Sequence, residues 1–227
     1  MVSKVYVMVD AAKRIIRCEG GITTPDDLTG WLQIDEGTGD KYDLCQSYYF
    51  DGGLFTKDTP YVPRYKLVDG VPVLRSEEEI EVDILPSLRA AKHAEISAES
   101  EAAIYAGMDV ETTQGTEHFS LTEKDQINLT TAKNEIDKGA PVYLYHTDDT
   151  LCRIFTAEEI KAIAQASVAH IIYHTTYCNH LFEWIRRADA AELAGITYGA
   201  ELPEDLAAHM QEILTQAGAV AETEAVT

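Results

Sequence analysis

The sequence predicts an α+β protein, and three features predict it. Short runs of alternating apolar and polar residues fill the first third, capped stretches of helical periodicity dominate the rest, and small hairpin patterns interrupt those stretches. With 227 residues, 45% of them hydrophobic, the chain can bury a real core as one large domain or two small ones.

The N-terminal third reads as β. Val5, Val7 and Val9 alternate with Tyr6 and Met8, and after a short break Arg14-Ile-Ile-Arg17 supplies the return strand of a hairpin. Trp31 to Ile34 is a further short apolar stretch, bounded by Thr29-Gly30 and the Gly37-Thr-Gly39 turn. Tyr65 to Arg75 is the clearest hairpin, because Asp69-Gly70 suits a two-residue turn that demands positive φ. Pro72 lacks a ladder donor and places the second strand at a sheet edge.

At Ser76 the pattern changes. Ser76 and Glu79 have capping-box spacing, and Ile80, Ile84, Leu88, Ala91, Ala94, Ala98 and Ala102 follow at helical intervals. Pro86 is expected to kink or divide this helix. Tyr105 to Glu111 and Glu117 to Ser120 flank Thr113-Gln-Gly115 as a small hairpin. Thr122 with Asp125 forms a second capping box, and its helix should run to Lys138 and stop at Gly139. Val142 to His146 and Leu151 to Phe155 form another hairpin around Thr147-Asp-Asp-Thr150. A third box, Thr156 with Glu159, opens the longest helix, which ends near Arg186-Arg187. Leu202-Pro203-Glu204 starts a last helix. The expected organisation is a β-rich N-terminal unit over 1–75, a helical connector over 76–104, an α+β domain over 105–216 and a disordered tail over 217–227.

Charge narrows the partners. Eighteen Lys and Arg oppose 39 Asp and Glu, a formal net charge of -21, which repels phosphate and so disfavours nucleic acid and anionic membranes. A basic protein would be attracted. Cys18, Cys45, Cys152 and Cys178 are widely spaced with no CxxC pair, which reads as free thiols. The alternating N-terminus reads as a strand and not a secretory signal, and no apolar run reaches the roughly 18 residues of a membrane span.

One cluster on the long helix could carry chemistry: His170, His174, Cys178 and His180. His170, His174 and Cys178 recur every four residues, so one helix face could offer them to zinc. The catalytic form of that pattern has Glu after the first His, whereas Ile171 and Ile172 stand here. The stripe Ile160, Ile163, Ser167, Ile171, His174, Cys178, Leu181 and Ile185 instead reads as a core face containing a satisfied histidine, with no metal or other cofactor. Gly37-Thr-Gly-Asp40 lacks the Lys and Ser/Thr of a phosphate loop, and no GxSxG elbow occurs. Asp148-Asp149 reads as a solvated turn. Tyr48, Tyr49 and Phe50, with Phe55, Tyr61 and Tyr65, could be a recognition surface or the core of a small β-unit. Trp31, Tyr48, Tyr49 and Phe50, together with Tyr173 and Tyr177 on the long helix, are the expected partner contacts, and no catalytic residues are expected.

The run His118-Phe-Ser-Leu-Thr-Glu-Lys-Asp-Gln-Ile-Asn-Leu129 resembles the opening of a domain common in phage and prophage tail gene modules of Gram-positive bacteria. Tyr145-His146, Cys152-Arg153, Phe155-Thr-Ala-Glu-Glu-Ile160, Ala169-His170 and Tyr173-His-Thr-Thr-Tyr-Cys-Asn179 extend the resemblance over roughly 104–214. Gly30-Trp31, Ile34-Asp-Glu-Gly37, Gly39-Asp-Lys-Tyr42 and Tyr65-Lys-Leu-Val-Asp-Gly70 are similar to the unit that precedes it in such proteins. His170, His174 and Asn179 match the family pattern, which assigns them no catalytic role. The resemblance implies a non-enzymatic structural part of a viral tail, made in the host cytoplasm and attached to fibre or baseplate proteins. A homo-oligomer is compatible with it, including a trimer matching trimeric fibres. Two alternatives are an assembly chaperone absent from the virion and a metal-dependent enzyme built on His170, His174 and Cys178.

Overall fold

A computed structural model describes residues 2–148 and 150–224, with side chains through 218. The protein is α+β, and its chain divides between Leu88 and Arg89 into two compact units.

In the first unit, β1 (Ser3–Val9) is the centre of a three-stranded antiparallel sheet with β2 (Ile15–Gly20) on one side and β3 (Leu32–Gly37) on the other. The alternation read in the sequence is realised in part: Val5, Val7 and Ile15 are fully buried, but Tyr6 between the two valines is buried as well and Val9 only half-buried. Two single-turn helices, α1 (Asp40–Asp43) and α2 (Cys45–Tyr48), follow and deliver Cys45 and Phe50 to the same core. The hairpin β4 (Tyr65–Val68) and β5 (Val71–Leu74) turns at Asp69 (φ 50°) and Gly70 (φ 82°), both left-handed as a primed turn requires.

Helix α3 (Glu77–Ala106) begins in the first unit and ends in the second. Its predicted cap is present, with the Glu79 N–H donating to Ser76 Oγ at 3.2 Å and the Ser76 N–H to Glu79 Oε2 at 3.0 Å. Pro86 does not divide it. The proline removes the N–H that would meet the Val82 carbonyl, but Val82 is 67% exposed, so water can replace that bond. Within the first unit Asp83 on this helix pairs with Arg14 (2.5 Å) and with buried Arg75 (2.7 Å).

In the second unit, β6 (Met108–Thr112) and β7 (Gly115–Phe119) form one hairpin, and β8 (Val142–Tyr145) and β9 (Arg153–Thr156) form another. Tyr105 and Ala106, read as the start of a strand, complete α3 instead. The joint is Gly107 (φ 81°), where a Cβ would lie 2.0 Å from the Phe119 carbonyl oxygen. Helices α4 (Glu123–Asp137) and α5 (Ala157–Arg187) start at the two predicted capping boxes. Their apolar faces enclose a core of Phe119, Leu121, Leu129, Ile136, Phe155, Ile160 and Ile163 with Val110 and Tyr145. A single turn, α6 (Ala190–Leu193), leads to α7 (Glu204–Glu224), which packs on α5. Residues 217–224 are therefore helical where a disordered tail was expected, because alanine-rich sequence extends an existing helix at little cost. Residues 225–227 lie outside the described residues.

Candidate functional site

The capping box at Thr156 and Glu159 fixes where α5 begins and hence which residues each face presents. Ile160, Ile163, Ser167, Cys178, Leu181 and Ile185 of the expected stripe are buried, while Ile171 and His174 are half-buried. Toward the C-terminal half the buried arc widens to include Tyr177 and His180, because the chain returns over that flank as residues 198–202 and α7.

This return leaves a cleft of about 410 Å3 lined by Tyr173, His174 and Tyr177 from α5, by Tyr198 and Glu201 from the returning strand of chain, and by Met210 from α7. Tyr173 and Tyr177 are one turn apart with rings nearly parallel, 13° between planes and 6.3 Å between centroids. Tyr198 stands at 74° to Tyr177, with centroids 5.3 Å apart. The Tyr177 hydroxyl donates to the Ala200 carbonyl at 2.6 Å, and the Tyr198 hydroxyl is hydrogen-bonded to His174 Nδ1 at 2.7 Å. Both phenol tips are thereby occupied, leaving ring faces and edges as the wall. Tyr173 is 48% exposed and Tyr177 only 8%, so of the two tyrosines expected as contacts one is presented to solvent and the other supports it.

The three candidate metal ligands are each engaged separately. His170 donates from Nε2 to the Ala103 carbonyl at 3.1 Å, and His174 holds Tyr198. Cys178 is buried, and burial pushes its thiol pKa up, opposed by a hydrogen bond with Ser100. Burial, with the neighbouring His170, holds the His174 pKa below the ordinary histidine value, so the ring is neutral at neutral pH. Among the described residues no three His, Cys, Asp or Glu side chains are grouped as metal ligands.

The sequence reading places His180 with the cluster on α5 but misses its partner His209. His180 donates from Nδ1 to the Thr176 carbonyl at 2.7 Å, and its Nε2 lies 3.0 Å from His209 Nδ1 on α7. Beside it Arg187 makes a two-pronged ion pair with Asp205 at 2.6 and 2.8 Å, so polar contacts flank the apolar seam of Leu206 and Met210. The partners lie 18 and 29 residues apart, which no local spacing signals.

The N-terminal candidates separate in the same way. Phe50 is 6% exposed and packs with Tyr65, 4.5 Å between ring centroids, as part of the core. Tyr49 is half-buried, its hydroxyl donating to Asp35 at 2.9 Å. Tyr48 is 61% exposed, and Trp31 is half-buried under the Arg17 guanidinium, 5.1 Å from the ring centroid. The aromatic concentration is thus divided: Tyr49, Phe50 and Tyr65 belong to the core of a small β-unit, and Tyr48, Phe55 and Tyr61 are exposed. Asp148 is no free turn acid: its carboxylate accepts the Ser120 N–H at 3.1 Å and the Ser120 hydroxyl, tying one hairpin to the other. Asp149 lies outside the described residues.

With this geometry in place, the comparisons with known proteins add one match. Residues 87–198 match the model of a family described as a domain of unknown function (DUF4376). The matched stretch takes in most of α3, both hairpins of the second unit, α4 and α5, and it ends on Tyr198. No curated protein and no solved structure matched the chain.

Proposed function

We propose that this chain is a non-enzymatic component of a bacteriophage tail, associated with the fibre or baseplate, that works by binding other tail proteins. The observation that carries the reading is the aromatic cleft on α5. Its walls Tyr173, His174 and Tyr177 belong to the stretch Tyr173–Asn179, which resembles tail-module proteins, and His174 and the Tyr177 hydroxyl are tied to Tyr198 and Ala200 rather than arranged as an acid, base or nucleophile. Tyrosine suits such a role, because it offers large contact area with few rotamers to freeze.

Co-purification tests the reading. Expressed with the neighbouring fibre protein, the chain should elute in a stable complex without stoichiometric metal, and its mass would give the symmetry. A chain that elutes alone with one zinc per molecule sinks the proposal. Presence in purified virions then separates a structural part from an assembly chaperone.

A further inference from the structure

A ligand entering the α5 cleft meets three tyrosine rings and one carboxylate. The ring faces are the negative regions of the aromatic quadrupole; Tyr173 is the exposed ring of the wall, with Tyr198 half-buried and Tyr177 buried in edge contact with each other at 74°. Because the Tyr177 and Tyr198 hydroxyls are already bound to Ala200 and His174, these walls are fixed before any ligand arrives. Glu201 is exposed and, among the described residues, is the one charged side chain of the lining, which includes no Lys or Arg.

These features decide among ligand chemistries. An anion would meet a carboxylate and π-faces with no cation to receive it, within a chain of net charge -21. An uncharged apolar group would gain from Leu202, Met210 and Leu214 but would make no use of Glu201. His174 supplies no compensating positive charge at neutral pH, since burial and His170 keep it unprotonated. A guanidinium matches both groups at once: it stacks flat on an aromatic face and pairs with a carboxylate through its planar fork, which a compact ammonium does less well.

We infer that the cleft binds an arginine side chain of a protein partner, with the guanidinium stacked on the tyrosine wall and paired with Glu201. This rests on the partner-binding reading above and specifies the chemistry of the contact. The acidic surface of the chain would favour encounter with a basic partner, and the cleft would hold one of its arginines.

The test uses the full chain and the peptide acetyl-Gly-Arg-Gly-amide, followed by tyrosine fluorescence and by the ring protons of Tyr173, Tyr177 and Tyr198. The same peptide with citrulline in place of arginine is the neutral control of equal shape. The arginine peptide should bind saturably and about tenfold more tightly than the citrulline peptide, with Glu201→Gln and Tyr173→Ala each weakening it about fivefold or more. Both substitutions are at exposed positions, so the fold is retained. Equal binding of the citrulline peptide, or no saturable response to either peptide, overturns the inference. Binding of tetramethylammonium without binding of the arginine peptide also overturns it, in favour of a small quaternary cation. Repeating the fibre co-purification with both variants separates the two readings. A complex unaffected by either variant keeps the tail reading and removes the arginine cleft from it. If the unmodified chain forms no complex, the tail reading fails, and the peptide titration still decides whether the cleft binds arginine.

Discussion

The Glu159 carboxylate accepts the Thr113 hydroxyl at 2.7 Å and the Thr113 N–H at 3.0 Å, so the residue that caps α5 also holds the turn between β6 and β7. Its second oxygen accepts the Thr156 N–H at 2.8 Å. One side chain thus joins a local helix signal to a contact 46 residues away. Glu159→Ala would leave several donors unsatisfied in a buried setting and should cost about 2–3 kcal/mol of stability. A denaturant titration of the variant, read at the transition midpoint, checks this.

The same carboxylate predicts an acid transition. Burial alone would raise its pKa, but the hydrogen bonds from Thr156 and Thr113 win and lower it from 4.5 to about 2. A depressed carboxylate contributes its stability fully above the unfolded value, and that stability is lost as pH falls from about 4.5 toward 2. Thermal melts across this window should show a decline that is smaller in Glu159→Gln.

Two histidines should titrate in opposite directions. His118 is bound through Nδ1 to Asp109 and through Nε2 to the Ala106 carbonyl, both at 2.7 Å, and the Asp109 hydrogen bond leads in raising its pKa. His174 is lowered by burial and by His170. NMR titration should find His118 above 6.5 and His174 below it. The stability due to His118 is full below 6.5 and is lost as pH rises through its folded value. For His174 it is full above 6.5 and is lost as pH falls.

Asp83 lies between Arg14 and buried Arg75, so its removal leaves a desolvated guanidinium without its counter-ion. Asp83→Ala should destabilise the first unit by about 3 kcal/mol. Lys66→Ala, which breaks a more exposed pair with Glu79, should cost less than about 1 kcal/mol. Chemical denaturation of both variants, compared side by side, tests the ranking.

Of the four cysteines, Cys152 is exposed while Cys18, Cys45 and Cys178 are buried, with thiol pKa values raised chiefly by desolvation. A thiol reagent such as dithionitrobenzoate should therefore modify one thiol quickly in the native chain and all four after unfolding. Rapid native reaction at a second cysteine would contradict this arrangement.

What could be read in the sequence was what neighbouring residues decide together. Ser76 with Glu79, Thr122 with Asp125 and Thr156 with Glu159 all cap helices, because donor and acceptor lie within one turn. Asp69-Gly70 made its hairpin because two left-handed residues in sequence have few other uses. The turns at Asp40–Asp43 and Cys45–Tyr48 are too short to show a period and were not legible. The candidate site was half legible. Tyr173 and Tyr177 stand out in the sequence on one helix flank, beside the core stripe that carries His174, but Tyr198, Glu201 and Met210 reach them only through the fold. The same gap made Phe50 and Tyr177 look like surface contacts: their residue type suits recognition, and only distant chain shows that they are covered.

Gly107 sets a rule for sequence variation. Its positive φ already strains any side chain, as it does at Gly70, Gly115 and Gly139, but those three stand in open space. The carbonyl of Phe119 stands where any β-carbon would go, so here even alanine is excluded by volume. Chains that share this joint between helix and hairpin should therefore keep glycine at this point on two grounds, backbone and volume, which makes one residue a marker for locating the joint in distant relatives.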